Sequence, residues 1–272
     1  MMPLFGWALV AVGIVAAEAA ISAWLKRPLY GLRETEVGLA LTFGWGVGGI
    51  VTAGLSAGAI AFCYGLRIFN PTHSVGWFIA AFVCGDFVYY FWHVMSHKLR
   101  WMWATHAAHH TAHRLNVLSS VRQGWTDAAG TWLTWAPLGF LGFTPTDMDF
   151  YFTVLLVWEA FTHNEWMPAL GPLEYIFITP SNHRVHHSLA PEHWDRNYGG
   201  VLCIWDRLFG TYAAEGATPI TEFGLVGLDR DAGPIETVLY GWKEWFAHLS
   251  KGWAGSGVSG SLQGHGAETL KG

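Results

Sequence analysis

Four apolar stretches, separated by short polar segments, organise the first 161 residues. Pro3 to Leu25 is apolar apart from Glu18 and is long enough to cross a bilayer as a helix. No Lys or Arg precedes it and it outruns a signal-peptide core, so it reads as a retained anchor. Val37 to Leu66 carries no charged residue. Its glycines at four-residue spacing, Gly44 with Gly48 and Gly54 with Gly58, predict close helix approach. Its length allows a tilted span or a break near Gly48 and Gly49. Val75 to Met95 is the third stretch and contains Asp86 and His93; a charge in such a run needs a job or a partner. Ala128 to Phe161 is interrupted by Pro145, Asp147 and Asp149, which predicts two helices in a hairpin that dips through the membrane and returns. From Lys251 onward the chain is rich in Gly and Ser without an apolar period, so a flexible tail is expected, with His265 uninvolved.

The pattern predicts an all-α protein: a multi-pass integral membrane helical bundle with a cytoplasmic helical cap. Its orientation follows from the loops. Lys26, Arg27 and Arg33 follow the first span, whereas 68–74 has no basic residue beyond the flanking Arg67. The positive-inside bias then puts the N-terminus outside and the first loop in the cytoplasm, with Ser96 to Asp127 and Thr162 to Trp245 on that same side. Membrane lipids are the expected surroundings.

Composition agrees with this reading. Hydrophobic residues make up 52% and charged residues 13% of the 272 positions, against a usual charged share of about 25%. The net charge of -5 and the lack of a Lys/Arg stripe exclude a nucleic-acid footprint. Cys63, Cys84 and Cys203 are far apart, form no CxxC pair and read as packing residues. Among 17 tryptophans, Trp77, Trp101, Trp103 and Trp166 lie near proposed span ends and suit either an interfacial belt or core packing.

Histidine changes the picture. Ten of the 14 lie between His93 and His187. Three groups stand out: His93 and His97 in HVMSH, His106, His109 and His110 in HAAHH, and His183, His186 and His187 in HRVHH. Spacings of three and four return side chains to one helix face, so each group can aim its imidazoles at one point. Shuffling the same residues yields two HxxHH boxes in fewer than about one arrangement in a thousand, so chance is a poor account. Imidazole suits iron, zinc, copper and nickel alike. Number is more informative: one catalytic zinc takes three protein ligands and a water, and eight histidines exceed that by more than twofold. Two metal ions are the natural count. HExxH is absent, against the commonest zinc-protease arrangement.

His163, in THNEW at the cytoplasmic end of the expected hairpin, is read as a ninth ligand because three ligand boxes lie on its side. His73, His113, His193 and His248 are read as ordinary hydrogen-bonded histidines. Asp86 lies seven residues before His93 on the same helical face, where a carboxylate could orient a ligand imidazole.

At these residues the chain resembles the fatty acid hydroxylase and sterol desaturase superfamily, whose pattern is HxxxH, HxxHH, HxxHH around transmembrane helices. The likeness covers about Phe82 to Tyr212 and includes DFVYYFWHVMSH, HAAHHTAHRLNVLSSVRQ, the His163 region followed by LGPLE, PSNHRVHH, and DRNYGGVLCIWDRLFGTY. It implies a cytoplasmic di-iron centre, two Fe per chain, held by the eight boxed histidines, with His163 added. Asn116, Arg122, Asn197 and Asp206 match recurrent polar positions around the ligands. The domain expectation is an N-terminal transmembrane region at 1–74, a fatty acid hydroxylase-like catalytic domain at 75–215, and a C-terminal region at 216–272 with its tail from about 251.

The implied activity is a monooxygenase that hydroxylates a C-H bond of a lipid-like substrate, such as an ether lipid, acyl chain, sterol or carotenoid. No flavin or nicotinamide fingerprint appears, so electrons must come from a separate electron-transfer partner. A lipid desaturase on the same site, or a zinc-dependent membrane hydrolase, are the rival readings; a metal-storage protein would show no turnover. The ether-lipid branch of the superfamily uses tetrahydrobiopterin. Here His113 stands where that branch tends to carry an acid, and the long C-terminal membrane portion of its animal members is missing, which weakens the expectation of pterin.

Overall fold

The computed structural model describes residues 4–250 and 262–264. Among them the regular structure is helical, and extended pairing is limited to two isolated bridges, Phe177 with Leu202 and Ser188 with Phe223. Ten α-helices follow in order: α1 Leu4–Trp24, α2 Leu32–Gly65, α3 Val75–Lys98, α4 Arg100–His106, α5 Val117–Ser120, α6 Thr131–Phe140, α7 Pro145–Thr162, α8 Pro180–His186, α9 Ile204–Phe209 and α10 Pro234–Ser250.

Two of the described helices, α2 and α3, are long and apolar enough to cross a membrane. At 34 residues α2 is about 51 Å long, well over the roughly 30 Å hydrocarbon layer. It is one unbroken helix through Gly48 and Gly49. Phe43, Ile50, Val51 and Phe62 are 67–79% exposed on it, a degree of outward apolar surface that a water-soluble core helix does not present. These two helices and that surface fit a membrane-associated protein.

The glycine spacing in α2 works in one half only. A Cβ on Gly44 would lie 2.2 Å from the Trp125 indole, and one on Gly48 would lie 2.6 Å from the Trp125 carbonyl oxygen, so both permit close approach. Gly54 and Gly58 face open space. The partner of α2 is α6, whose Gly139 lets its backbone reach Ile60 and Tyr64.

The hairpin is formed by α6 and α7. Gly142 at φ +90° turns the chain, and the Thr144 hydroxyl caps α7 while Asp147 returns a hydrogen bond from the Thr144 amide at 2.8 Å. Asp147 also accepts from the Trp77 indole at 3.2 Å, which ties the hairpin to α3. At ten residues α6 is about 15 Å long, shorter than the hydrocarbon layer. Ala81, Trp135, Leu138, Phe143, Met148, Tyr151 and Leu155 form the core between α3, α6 and α7. A Cβ on Gly85 would lie 2.7 Å from the Tyr151 ring, so this glycine sets the spacing of α3 and α7.

The short helices α4, α8 and α9 and the longer α10 complete the described elements. Helix α10 packs on α4 through Gly241, where a Cβ would lie 2.8 Å from Ala104. Residues 262–264 return to the α4 region, where Leu262 is buried with Trp103, Ala107 and Leu225. The rest of the segment expected to be a flexible tail, 251–261 and 265–272 with His265, lies outside the described residues.

Candidate metal centre

Each histidine group sits at a helix end or a tight turn. His93 and His97 occupy successive turns of α3, which Leu99 terminates by adopting an extended conformation at φ -100°, ψ 116°. His106 ends α4, and His109 and His110 open the 3-10 turn His109–Thr111. His163 caps the C-terminus of α7. Helix α8 starts at Pro180, with the Thr179 amide donating to Asn182 Oδ1 at 3.2 Å, and carries His183 and His186, with His187 as its C-cap. The three boxes and His163 thus reach one place from four separate segments.

Their donor atoms fall into two adjoining groups. His93, His97, His106, His110 and His186 form one, and His109, His163, His183 and His187 the other; within each, the donor atoms all lie within 4.8 Å of one another. All nine imidazoles are buried. The Nε2 atoms of His93 and His106 are 3.1 Å apart, those of His106 and His110 3.3 Å, those of His163 and His183 3.2 Å, and those of His183 and His187 3.0 Å. Two nitrogens bound to one ion at about 2.1 Å, with an angle near 90°, would be about 3.0 Å apart, so these are the spacings of a coordination shell.

The remaining ring nitrogens orient the donors. Main-chain carbonyls can only accept, so Nδ1 of His93 donates to Tyr198 O at 2.9 Å, Nδ1 of His163 to Glu159 O at 2.8 Å, Nδ1 of His186 to Arg196 O at 2.8 Å, and Nδ1 of His109 to Arg122 O at 3.3 Å. That fixes the tautomer and leaves Nε2 free to bind. Nε2 of His186 and both nitrogens of His97 are buried without a protein partner, an arrangement that costs about 1–3 kcal/mol per group unless something else binds there. Burial, reinforced by neighbouring imidazoles, pushes His106, His109, His110, His183 and His187 well below the ordinary histidine value. Burial likewise brings His186 down to about 4. Neutral imidazole is the form that binds a cation. The donor set fits two metal ions.

The outer polar residues act at one remove. Asp86 touches no imidazole: its carboxylate accepts from the Tyr151 hydroxyl at 3.0 Å, the Val201 and Leu202 amides at 2.9 and 3.2 Å, and the Trp205 indole at 2.9 Å. Asp206 accepts from the Tyr198 and Gly199 amides at 2.7 and 2.8 Å and from the Thr211 hydroxyl at 2.6 Å. The two carboxylates therefore pin the 198–202 loop, and the loop carbonyl at Tyr198 orients His93. The direct contact expected between Asp86 and a ligand is replaced by this relay, because the side chain points at the loop. Asn197 adopts the left-handed region at φ 55° and clamps Asn182 O and Ala213 O at 2.9 and 2.7 Å. Asn116 caps α5 and donates to Leu29 O at 2.9 Å, away from the imidazoles. Arg122 contributes its carbonyl to His109, while its guanidinium pairs with Glu34 at 2.6 Å. His113 and His193 stay outside both groups, bonded to Phe223 O at 3.1 Å and Ser188 Oγ at 2.9 Å.

A mostly apolar pocket opens beside the donors. His106 of one group and His109 of the other reach its wall, and Trp92, Trp135, Phe152 and Leu155 line its sides. Three residues that sequence reasoning passed over lie beside the donors. Glu159 lines the cavity, accepts from the Tyr89 hydroxyl at 3.2 Å, and holds Oε2 3.7 Å from His183 Nε2. Its signal was an acid inside the apolar α7, four residues before His163, the reasoning that had picked out Asp86. Gln123 Nε2 lies 3.3 Å from His109 Nδ1. Gln263 is buried, donates to His186 O at 3.2 Å and lies 3.3 Å from His110 Nδ1; nothing in its Gly-rich surroundings marked it.

Residues 78–211, which contain all nine histidines, match the family model for fatty acid hydroxylase. The chain is 36% identical over 188 residues to alkylglycerol monooxygenase of Homo sapiens, covering 69% of this chain and 40% of that relative. It is 37% identical over 160 residues to alkylglycerol monooxygenase of Danio rerio, covering 59% and 34%. It is 32% identical over 151 residues to the ornithine lipid hydroxylase OlsE of Rhizobium tropici, covering 55% and 45%. The chain thus spans less than half the length of these curated relatives. No solved structure matches it.

Proposed function

Because residues 78–211 of this chain form a fatty acid hydroxylase domain, we propose that the protein is a membrane-bound di-iron monooxygenase that hydroxylates a C-H bond of a lipid-like substrate. Dioxygen is the oxidant, and two electrons come from a separate protein donor. His93, His97, His106, His110 and His186 hold one iron, and His109, His163, His183 and His187 hold the other. The observation that carries this reading is the convergence of nine buried imidazoles into two adjoining groups at the wall of an apolar cavity. The kinship with lipid hydroxylases and monooxygenases supports the substrate class. Imidazole ligands suit iron and include no thiolate that oxygen chemistry would consume.

When bound, the iron pair supplies the redox capacity to split dioxygen and oxidise an unactivated C-H bond. The chain supplies the rest. Trp92, Trp135, Phe152 and Leu155 receive an apolar chain and exclude water around it. The carbonyls of Arg122, Glu159, Arg196 and Tyr198 hold four imidazoles with their donor nitrogens aimed inward.

Isotope labelling tests the reaction class. Under labelled dioxygen the product gains one labelled oxygen atom, and turnover stops without oxygen. An alkene with no label would mean a desaturase. Oxygen-independent turnover with label from water would mean a metal-bound hydroxide doing hydrolysis, and the reading would fall.

A further inference from the structure

The two donor groups are unequal: one has five imidazoles and the other four. Beside the smaller group lies a carboxylate. Glu159 Oε2 is 3.7 Å from His183 Nε2 and 3.5 Å from His163 Nδ1, and both histidines belong to the four-membered group. Donors bound to one ion at about 2.1 Å, at angles of 90–120°, lie about 3.0–3.6 Å apart, so the 3.7 Å Oε2 to His183 separation lies just outside that range.

The electrostatics of Glu159 also ask for a cation. Its side chain is buried, and among the described residues its one hydrogen-bond donor is the Tyr89 hydroxyl, which engages the other oxygen, Oε1. Among the described residues no lysine or arginine pairs with it. A buried carboxylate without a compensating cation is strongly disfavoured. A divalent ion in the four-histidine group would provide the missing charge, and a carboxylate oxygen is a normal partner for imidazole around iron.

We propose that Glu159 is the fifth protein ligand of the four-histidine site, entering from the cavity side with Tyr89 holding its other oxygen. The assignment rests on the two-metal reading above. It makes the two ions chemically distinct, one bound by imidazole alone and one by imidazole and carboxylate, and it places the anionic ligand on the wall that faces substrate.

Iron-loaded wild-type protein and Glu159→Gln are compared by infrared difference spectroscopy against their metal-free forms, by Mössbauer spectroscopy, and by iron retained after dialysis against a chelator. Wild type should show a carboxylate band that shifts on iron binding and two different iron sites. Glu159→Gln should lose that band and bind iron at the smaller site at least about tenfold more weakly, keeping close to one iron per chain. Tyr89→Phe should keep both irons. Unchanged Mössbauer parameters and two retained irons in Glu159→Gln would overturn the assignment, even if turnover fell. Should that variant fail to fold, the wild-type spectrum decides alone: no shifted carboxylate band overturns the proposal. A wild-type chain that does not bind two metals would instead refute the dimetal reading itself.

Discussion

His110 and His187 stack face to face, with ring centroids 4.4 Å apart and planes 24° from parallel, although they belong to different donor groups. The shared ring face makes the two sites one mechanical unit, since neither imidazole can rotate without displacing the other.

Loss of either ring should therefore reach both metals. His187→Ala leaves a void against His110, and we expect its iron content to fall from two per chain to one or fewer, with activity lost. His110→Ala, in the other group, should do the same. His73→Asn, at an exposed position outside both groups, should keep both irons. Elemental analysis of purified protein measures this; two irons and full activity in His187→Ala would refute the ligand assignment for that residue.

The Asp206 carboxylate holds the loop whose Tyr198 carbonyl orients His93. Replacement by Asn puts an NH2 group where one buried donor needs an acceptor, at a cost of about 1–3 kcal/mol, which is several degrees of melting temperature for a domain of this size. The effect depends on pH with a definite sign. Burial pushes Asp206 up to about 6, above its unfolded value of 3.8. The folded protein then binds more protons than the unfolded chain between those values. Its stability falls as pH rises from about 4 to about 6 and is level above. The difference between wild type and Asp206→Asn, in which other groups cancel, should show that slope in thermal unfolding; a flat difference would mean that Asp206 is not shifted.

Much of the site was legible in the sequence, because helical spacing alone brings His93 to His97 and His183 to His187. The assignment of donors to two groups was not legible. His186 joins His93 and His97, while its neighbour His187 joins His109 and His163, a division set by which way each ring turns on a shared helix end. Asp86 was found by its charge in an apolar run, but its partners lie 65 to 119 residues away in sequence, at Tyr151 and in the 201–205 segment. Glu159 carried the same signal and was hidden by the other acids of its hairpin. The four-residue glycine pattern in α2 predicted contact equally at both ends, whereas only Gly44 and Gly48 of these four meet a neighbour, the Trp125 segment, and Gly54 and Gly58 face open space.

Topology provides the last test. Three contacts fasten the segment between α1 and α2 to the histidine-bearing side: Asn116 donates to Leu29 O at 2.9 Å, Arg122 pairs with Glu34 at 2.6 Å, and the Arg33 guanidinium donates to Asp231 O at 3.1 Å. The first loop and the metal centre therefore share a side. By the positive-inside bias, Lys26, Arg27 and Arg33 on that loop are expected to put the shared side in the cytoplasm. If α1 crosses the bilayer, the N-terminus must then be outside. If α2 and α3 cross and return and the short α6 makes its hairpin re-entrant, α8 and α10 would be on the cytoplasmic side. A reporter fused to the N-terminus should be active outside, and one fused to the C-terminus should be active in the cytoplasm. Cytoplasmic signals from both ends would mean that α1 lies along the membrane surface instead of crossing it. The contacts to Leu29, Glu34 and Asp231 would survive that result, because they fix only the loop and the site to one face.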